Sequence, residues 1–256
     1  MIAGAEAPRI RRALASVADW TSEIIVVVND DVTDGTAGIA AACGAKVFLE
    51  PWRGHVAQKN SAAQKAGSEW ILGLDADEEV SPLLRDEIIH AIQGTSGGSG
   101  PDAFSVPRCT CYNGRWIRHG DWYPDRKVRL WRRGLAQWGG IDPHDMLLVA
   151  GQVKKLKCDL FHHGMENLNH RLRKAITYSD LFARHQQACG RQTNAFEIWL
   201  RPRWRFFRSY FLRCGFLDGA EGYAVAQMIA FETFMRYSKL HETQRNRKNL
   251  TLLNAK

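Results

Sequence analysis

Along the first part of the chain, apolar and polar residues come in blocks whose period changes. Ile10, Leu14 and Val17 recur at three- to four-residue spacing within Arg9 to Val17, the pattern of a helix with one buried face. Glu23 to Val28 is instead an almost unbroken β-branched run, EIIVVV, as in a strand covered on both sides in a parallel sheet. Gly38 to Cys43 reads as a short helix, Ala45 to Leu49 as a second strand, Gln58 to Ala66 as a helix and Trp70 to Leu74 (WILGL) as a third buried strand. Ser81-Pro82 is a helix start, with Ser as cap and Pro at the first helical position, and this helix runs to about Ile92. Gly94 to Pro101 (GTSGGSGP) then breaks the pattern as a loop. Strands alternating with helices predict an α/β fold with a Rossmann-like, mostly parallel sheet flanked by helices.

The middle of the chain changes character. Phe104 to Pro107, Lys127 to Arg132 and Leu147 to Val149 read as strands, with Trp116, Trp122, Tyr123, Trp131 and Trp138 among them. Beyond Leu168 the pattern is mainly helical and ends in an apolar helix from about Gly219 to Leu240. The expected organisation is an α/β domain over residues 1–165 and a basic, amphipathic helical extension over 166–256. The longest uncharged apolar stretch of that extension, Gly222 to Phe231, falls well short of the roughly 20 residues a spanning helix needs. The N-terminus lacks the charged-then-apolar pattern of a signal peptide, so no membrane span is expected.

Charge narrows the partners without choosing among them. A formal net charge of +8 favours nucleotide diphosphates, anionic lipids or nucleic acid. The six cysteines show no C-x-x-C spacing, which argues against a zinc site and for reduced thiols in a cytosolic protein.

The candidate chemistry stands at strand ends, where ligands bind in open α/β sheets. Asp75-Ala76-Asp77 follows the third strand, and two carboxylates there offer hard oxygen ligands to a divalent cation that would neutralise a diphosphate. A D-x-D alone is equally a solvated acidic turn. The buried strand before it, Glu78-Glu79 after it and the helix start at Ser81 strengthen the ligand reading. Asn29-Asp30-Asp31 ends another strand, where polar groups suit a base and ribose hydroxyls or serve as an ordinary turn. Thr33-Asp34-Gly35-Thr36 reads as a turn and helix cap.

Taken in order, strand–Thr33-Asp34-Gly35-Thr36, Trp52-x-Gly54-x-x-Ala57-Gln58-Lys59-Asn60 and Leu74-Asp75-Ala76-Asp77-Glu78 resemble family 2 glycosyltransferases. The similarity is closer to the lipopolysaccharide-core β-glucosyltransferase-like subgroup. It continues through Gly114-Arg115-Trp116-Ile117-Arg118-His119-Gly120, Trp122-Tyr123-Pro124-Asp125, Arg129-Leu130-Trp131-Arg132-Arg133-Gly134 and Gly215-Phe216-Leu217-Asp218-Gly219. The resemblance implies a GT-A fold and an inverting displacement on a nucleotide-sugar donor, expected to be a UDP-hexose. It puts Asp75 near the ribose and diphosphate, makes Asp77 the ligand of a divalent metal (Mg2+ or Mn2+), and lines the donor pocket with Gln58, Lys59 and Asn60. A cationic Lys59 would meet a phosphate there; the alternative is a surface helix lysine.

The chain departs from that pattern at several places. Asn29 stands where the family usually has Asp, with Asp30 as a substitute. The family start, a strand followed by Asn-Glu-Glu, corresponds to Met1 to Ala7, with Ala5 at the Asn position and Glu6 retained as a donor-site residue. Such a shortened strand is expected to mean either a longer chain at this end or a weaker donor site. The base that takes the acceptor proton corresponds to Asp145 in His144-Asp145, where His-Glu is usual. The alternative is a structural turn. His162-His163 is not expected to act as a metal pair, because neighbours on a strand face opposite ways.

Arg201, Arg203, Arg205, Arg208 and Arg213 interleave with Trp204, Phe206, Phe207, Tyr210 and Phe211. Such a segment fits the headgroup layer of an anionic membrane. It also fits single-stranded nucleic acid or plain core packing. Beside strand-end carboxylates the membrane is preferred and nucleic acid set aside. The expected protein is cytoplasmic and peripheral on the inner face of the membrane, with a lipid-linked glycan such as lipopolysaccharide core as acceptor. The competing readings are a catalytically decayed transferase and a nucleotide- or RNA-binding protein.

Overall fold

The structure, a computed structural model, describes residues 1–95, 100–141, 144–165 and 168–253. The elements are β1 (Ile2–Ala3), α1 (Ile10–Ala15), β2 (Ile25–Asn29), α2 (Thr36–Ala42), β3 (Lys46–Glu50), α3 (His55–Gln64), β4 (Trp70–Leu72), β5 (Glu78–Val80) and α4 (Pro82–Gln93). There follow β6 (Ala103–Tyr112), β7 (Arg115–Ile117), β8 (Asp125–Arg132), β9 (Ala136–Ile141), β10 (His144–Val149), β11 (Val153–Lys155) and β12 (Leu160–His162). The rest is helical: α5 (Leu168–Ala188), α6 (Ala195–Phe207) and α7 (Gly219–Leu253).

The chain divides into two compact units, Met1–Cys109 with Asp125–Gly164, and Thr110–Pro124 with Met165–Lys256. The boundary read from the sequence at 165 therefore misses one feature: Thr110–Pro124, inside the first stretch, packs with the C-terminal helices.

In the first unit β1, β2 and β3 form a parallel sheet with Ile2 opposite Val27 and Val26 opposite Val47. The β-branched run is buried as its composition requires, with Val26, Val27 and Val28 fully covered. Ile10 and Leu14 of α1 pack on Val26 and Val28, so the helical period and the strand share one core. Ser81 caps α4 as expected, its Oγ accepting from the Leu84 N–H at 3.1 Å.

The parallel pattern stops there. The second sheet runs β4-β8-β6-β12-β5, with β4 antiparallel to β8, β8 to β6 and β12 to β5, and only β11 parallel to β6. The sheet is mixed, not mostly parallel, because the later strands are linked by short turns rather than helical crossovers. Its core joins Leu84, Ile88, Phe104, Leu130 and Leu160. Strands β9 and β10 make a separate antiparallel hairpin. Trp70 to Leu72, read as a buried strand, is half-buried, since it lines a largely apolar cavity of about 490 Å3 together with Trp20, Ile24, Ile88 and Trp131.

In the second unit β6 turns into β7, and Ile117 packs on Val225, Met228 and Ile229 of α7. Asp218 is buried where it accepts the backbone N–H groups of Arg118 and His119 at 3.0 and 2.8 Å. The matching blocks around Gly114–Gly120 and Gly215–Gly219 are thus the two sides of one packing contact. All six cysteines are free thiols. Among the described residues no helix is long and apolar enough to cross a membrane.

Candidate active site

The turn after β4 builds itself from its own carboxylates. Glu78 N–H donates to the Asp75 carbonyl at 3.0 Å, and Asp75 N–H returns a bond to Glu78 Oε2 at 3.1 Å. Glu78 is 0% exposed, so it needs a partner. Arg129, reaching in from β8, supplies it: one Nη2 donates to Glu78 Oε1 at 2.6 Å and to Asp75 Oδ2 at 2.5 Å. Burial alone would lower the Arg129 pKa, but Asp75 and Glu78 raise it above its usual value, so the guanidinium stays charged.

Asp75 has a second cation. Lys59 Nζ on α3 lies 3.0 Å from Asp75 Oδ1 and donates to Asp145 Oδ2 at 2.8 Å, with the Trp138 ring 4.5 Å away. Burial would raise the Asp75 pKa; the charges of Arg129 and Lys59 outweigh it and hold the carboxyl well below the usual range. Asp145, on β10 opposite Gly140, is carried here by the β9–β10 hairpin. Asn60 secures that hairpin, donating from Nδ2 to the Trp138 carbonyl and accepting from the Trp138 N–H, both at 2.9 Å. Its amide is spent on the backbone rather than left facing a pocket. Gln58 is fully buried with neither amide atom bonded to a described residue. The side chain of His144 lies outside the described residues.

Asp77 belongs to a neighbouring pair. Its Oδ2 lies 3.4 Å from His162 Nε2, while His163, the next residue of the chain, turns to Glu79 at 2.8 Å. The two histidines face apart, yet one of them individually meets the D-x-D. Burial would raise the Asp77 pKa, but the His162 bond and charge lower it. Gly164 packs its backbone closely on this pair, since a Cβ there would collide with both Asp77 Oδ2 and His162 Nε2. Among the described residues no group of three or more His, Cys, Asp or Glu gathers around one point.

Toward β2, Glu6 is paired with Arg9 at 2.6 Å, and the Arg9 charge also lowers the Asp77 pKa. Asp34 is more than a helix cap. It accepts from Thr36 N–H and Oγ1 at 2.9 and 2.6 Å and from Ala7 N–H at 3.1 Å, pinning the loop after β1 to the loop after β2. The Thr36 bonds hold its pKa below the usual value. Asn29 Oδ1 is buried without a partner among the described residues, and Asp30 is exposed beside it.

The structure therefore brings Lys59, Asp75 and Asp145 into contact, sets Asp77 on His162, and places Glu6, Asn29 and Asp30 in the β1–β2 region. Arg129, Glu78 and His162 were not singled out as site residues from the sequence. A signal existed for Arg129: it alternates with Val128 and Leu130 in a strand whose neighbours are apolar, where a charge facing inward demands a partner.

Comparison with known proteins adds to this geometry. A family model described as Glycosyl transferase family 2 matches residues 1–132. An uncharacterized glycosyltransferase of Rickettsia felis is 30% identical over 262 residues, covering 96% of this chain and 89% of its own. The lipopolysaccharide core biosynthesis glycosyltransferase LpsC of Rhizobium meliloti is 25% identical over 225 residues, covering 85% of this chain and 82% of its own. The crystal structure of S. aureus TarS 1-349 aligns over 96% of this chain and 90% of its own, at 13% identity and a TM-score of 0.48.

Proposed function

From the premise that the chain belongs to glycosyltransferase family 2 and has the GT-A fold, we propose that it is an inverting hexosyltransferase acting on a lipid-linked glycan. The observation that carries the reading is the convergence of Asp75, Lys59 and Asp145 at the strand ends of the first unit. In the proposed step the acceptor oxygen bonds to the anomeric carbon of the donor while the bond from that carbon to the diphosphate breaks. The electron pair leaves with the nucleoside diphosphate, and the acceptor proton passes to the Asp145 carboxylate. Lys59 orients that carboxylate and is itself held by Asp75. The unpartnered Asn29 Oδ1 suits the imide N–H of a uracil, and the exposed Asp30 suits ribose hydroxyls. Both features support a UDP-sugar as donor.

Asp77 and His162 are the residues that would hold a divalent cation, Mg2+ or Mn2+, with their Oδ2 and Nε2 already 3.4 Å apart. Two protein donors suffice where a diphosphate and water provide the others. When bound, such a cation neutralises the leaving diphosphate. Asp77→Asn is expected to lower turnover at least about a hundredfold, the scale of losing a main electrostatic stabiliser. The check is a transfer assay across nucleotide sugars with added Mg2+ or Mn2+ and with EDTA. Full activity in EDTA would take the metal out of the mechanism.

Similarity to LpsC supports lipopolysaccharide core as the acceptor class. The helical unit supports a bilayer location, though by a different balance than its sequence suggests. Of the five arginines, Arg205, Arg208 and Arg213 share Asp121 and Arg201 pairs with Glu197, so part of their charge is already met. Phe196, Leu200, Trp204, Phe207 and Phe211 recur at three- and four-residue spacing and are all exposed, forming an apolar stripe with Arg203 over Trp199 beside it. Amphipathic burial at a lipid surface fits that stripe, whereas Arg201 lies over Tyr237 of α7 and Arg205, Arg208 and Arg213 converge on Asp121, a cluster and not the extended row of cations that suits RNA. Replacing Leu200, Trp204 and Phe207 by Ser is expected to abolish sedimentation with anionic vesicles and to leave transfer to a short soluble acceptor unchanged. Undiminished pelleting would assign the stripe to another partner.

A further inference from the structure

We propose that the helical unit contains a phosphate site built by Arg205, Arg208 and Arg213 around Asp121. Asp121 is 4% exposed at its side chain, and three guanidinium groups reach it: Arg208 at 2.6 Å, Arg213 at 3.1 Å and Arg205 at 3.3 Å. The backbone that carries the carboxylate is held to the same segment. The Asp121 backbone N–H donates to Ser209 Oγ at 3.1 Å, and the preceding Gly120 N–H donates to the Arg213 carbonyl at 2.9 Å. Gly120 has a φ of 75°, and a Cβ there would press on Ser209 Oγ at 3.0 Å, so the close approach depends on glycine. A π-helical turn over Arg208–Leu212 follows α6 and shifts the register so that Arg208 and Arg213 both turn to one carboxylate.

This arrangement holds more cation than a fold contact needs. One arginine satisfies a buried aspartate, and each further guanidinium adds repulsion. Arg236 adds to it, and its nearest carboxylate, Glu232 at 4.0 Å, is shared with Arg171. Burial lowers the Arg205 pKa, and although Asp121 raises it, Arg208, Arg236 and Arg213 lower it further, the electrostatic sign of a cluster short of anions. The donors are also in excess. A guanidinium has five N–H groups and a carboxylate roughly four acceptor positions, so three forks cannot all be satisfied by one Asp. Arg208 Nε is buried with no bonded partner among the described residues. The three side chains remain 36%, 31% and 50% exposed, which leaves an approach for a ligand. A tetrahedral phosphate ester, with up to two charges and several acceptor oxygens, matches a convergent set of arginine forks.

Trp204, Phe207 and Phe211 stand exposed on the same segment, so a lipid phosphate would sit at the cations while the rings enter the apolar layer. That placement rests on the bilayer reading above; the phosphate site itself does not. The experiment uses the full chain and two probes, inorganic phosphate followed by calorimetry, and phosphatidylcholine vesicles with or without phosphatidic acid followed by sedimentation. The double variant R208Q/R213Q is expected to bind inorganic phosphate at least about tenfold more weakly than wild type, the scale of losing charge-assisted hydrogen bonds. Arg213→Gln alone, at the most exposed of the three, keeps two cations on Asp121 and serves if the double variant does not fold; it is expected to weaken binding by a smaller factor. If the double variant also loses its preference for phosphatidic acid vesicles, the ligand is a lipid phosphate. If only inorganic phosphate binding falls, the site takes a soluble phosphate ester, and the bilayer reading stands or falls on the apolar stripe. Equal phosphate and vesicle binding by wild type and folded variants would overturn the proposal.

Discussion

Asp145→Asn is expected to lower turnover by roughly 10² to 10⁴ while UDP affinity stays within about twofold of wild type. The substitution keeps the size of the side chain and one accepting oxygen, and removes the negative charge and with it the capacity to take a proton. Lys59 loses one of its two carboxylates but keeps Asp75 at 3.0 Å, so the α3 side of the site retains its charge pairing. The hairpin that carries residue 145 stays attached through Asn60 and Trp138, which the substitution does not touch. Steady-state kinetics with donor and acceptor varied separately, beside calorimetry with UDP, separate the two effects. A collapse of nucleotide affinity together with turnover would make Asp145 a structural or donor-binding residue. So would a pH profile that keeps its wild-type shape in a variant that remains active, since a lost base must remove its own limb of the profile.

Arg129→Met is expected to destabilise the first unit by about 3–5 kcal/mol, the usual cost of leaving a buried charge without its partner. Of its cations Glu78, fully buried, would keep only Arg108, whose Nη1 lies 3.5 Å away, and Asp75 would keep only Lys59. The matching double variant R129M/E78Q removes the stranded charge and is expected to recover a large part of the loss. Urea unfolding of the three proteins measures both numbers; a single variant as stable as wild type, or a double variant no better than the single, would refute the role given to this pair. The same cluster sets an acid limit. The folded pKa of Asp75 is depressed, so its contribution is present above the ordinary aspartate value of about 3.9 and is lost as pH falls toward the folded value.

These expectations draw on two kinds of information. The buried run before Asn29, the cap at Ser81, the helical period at Ile10 and Leu14 and the acidic turn after Trp70–Leu74 are all readable along the chain, because each depends on residues within a few positions of one another. The order of motifs from Thr33 to Glu78 likewise carried the family. Strand direction in the second sheet was not readable, because alternation of apolar and polar positions is the same whichever partner a strand takes. Lys59 and Asp145 are 86 positions apart, Arg129 and Asp75 are 54 apart, and Asp121 and Arg208 are 87 apart. Nothing local marks such pairs, and opposite charges in a list of residues do not say which will be desolvated together. The Arg201–Arg213 segment shows the difference most directly. Its composition determined that cations and aromatic rings share one segment; only packing against the Gly120–Asp121 turn decided that three of those cations converge on one carboxylate while the rings of Trp204, Phe207 and Phe211 stay exposed, because the close approach of that turn depends on tertiary contact.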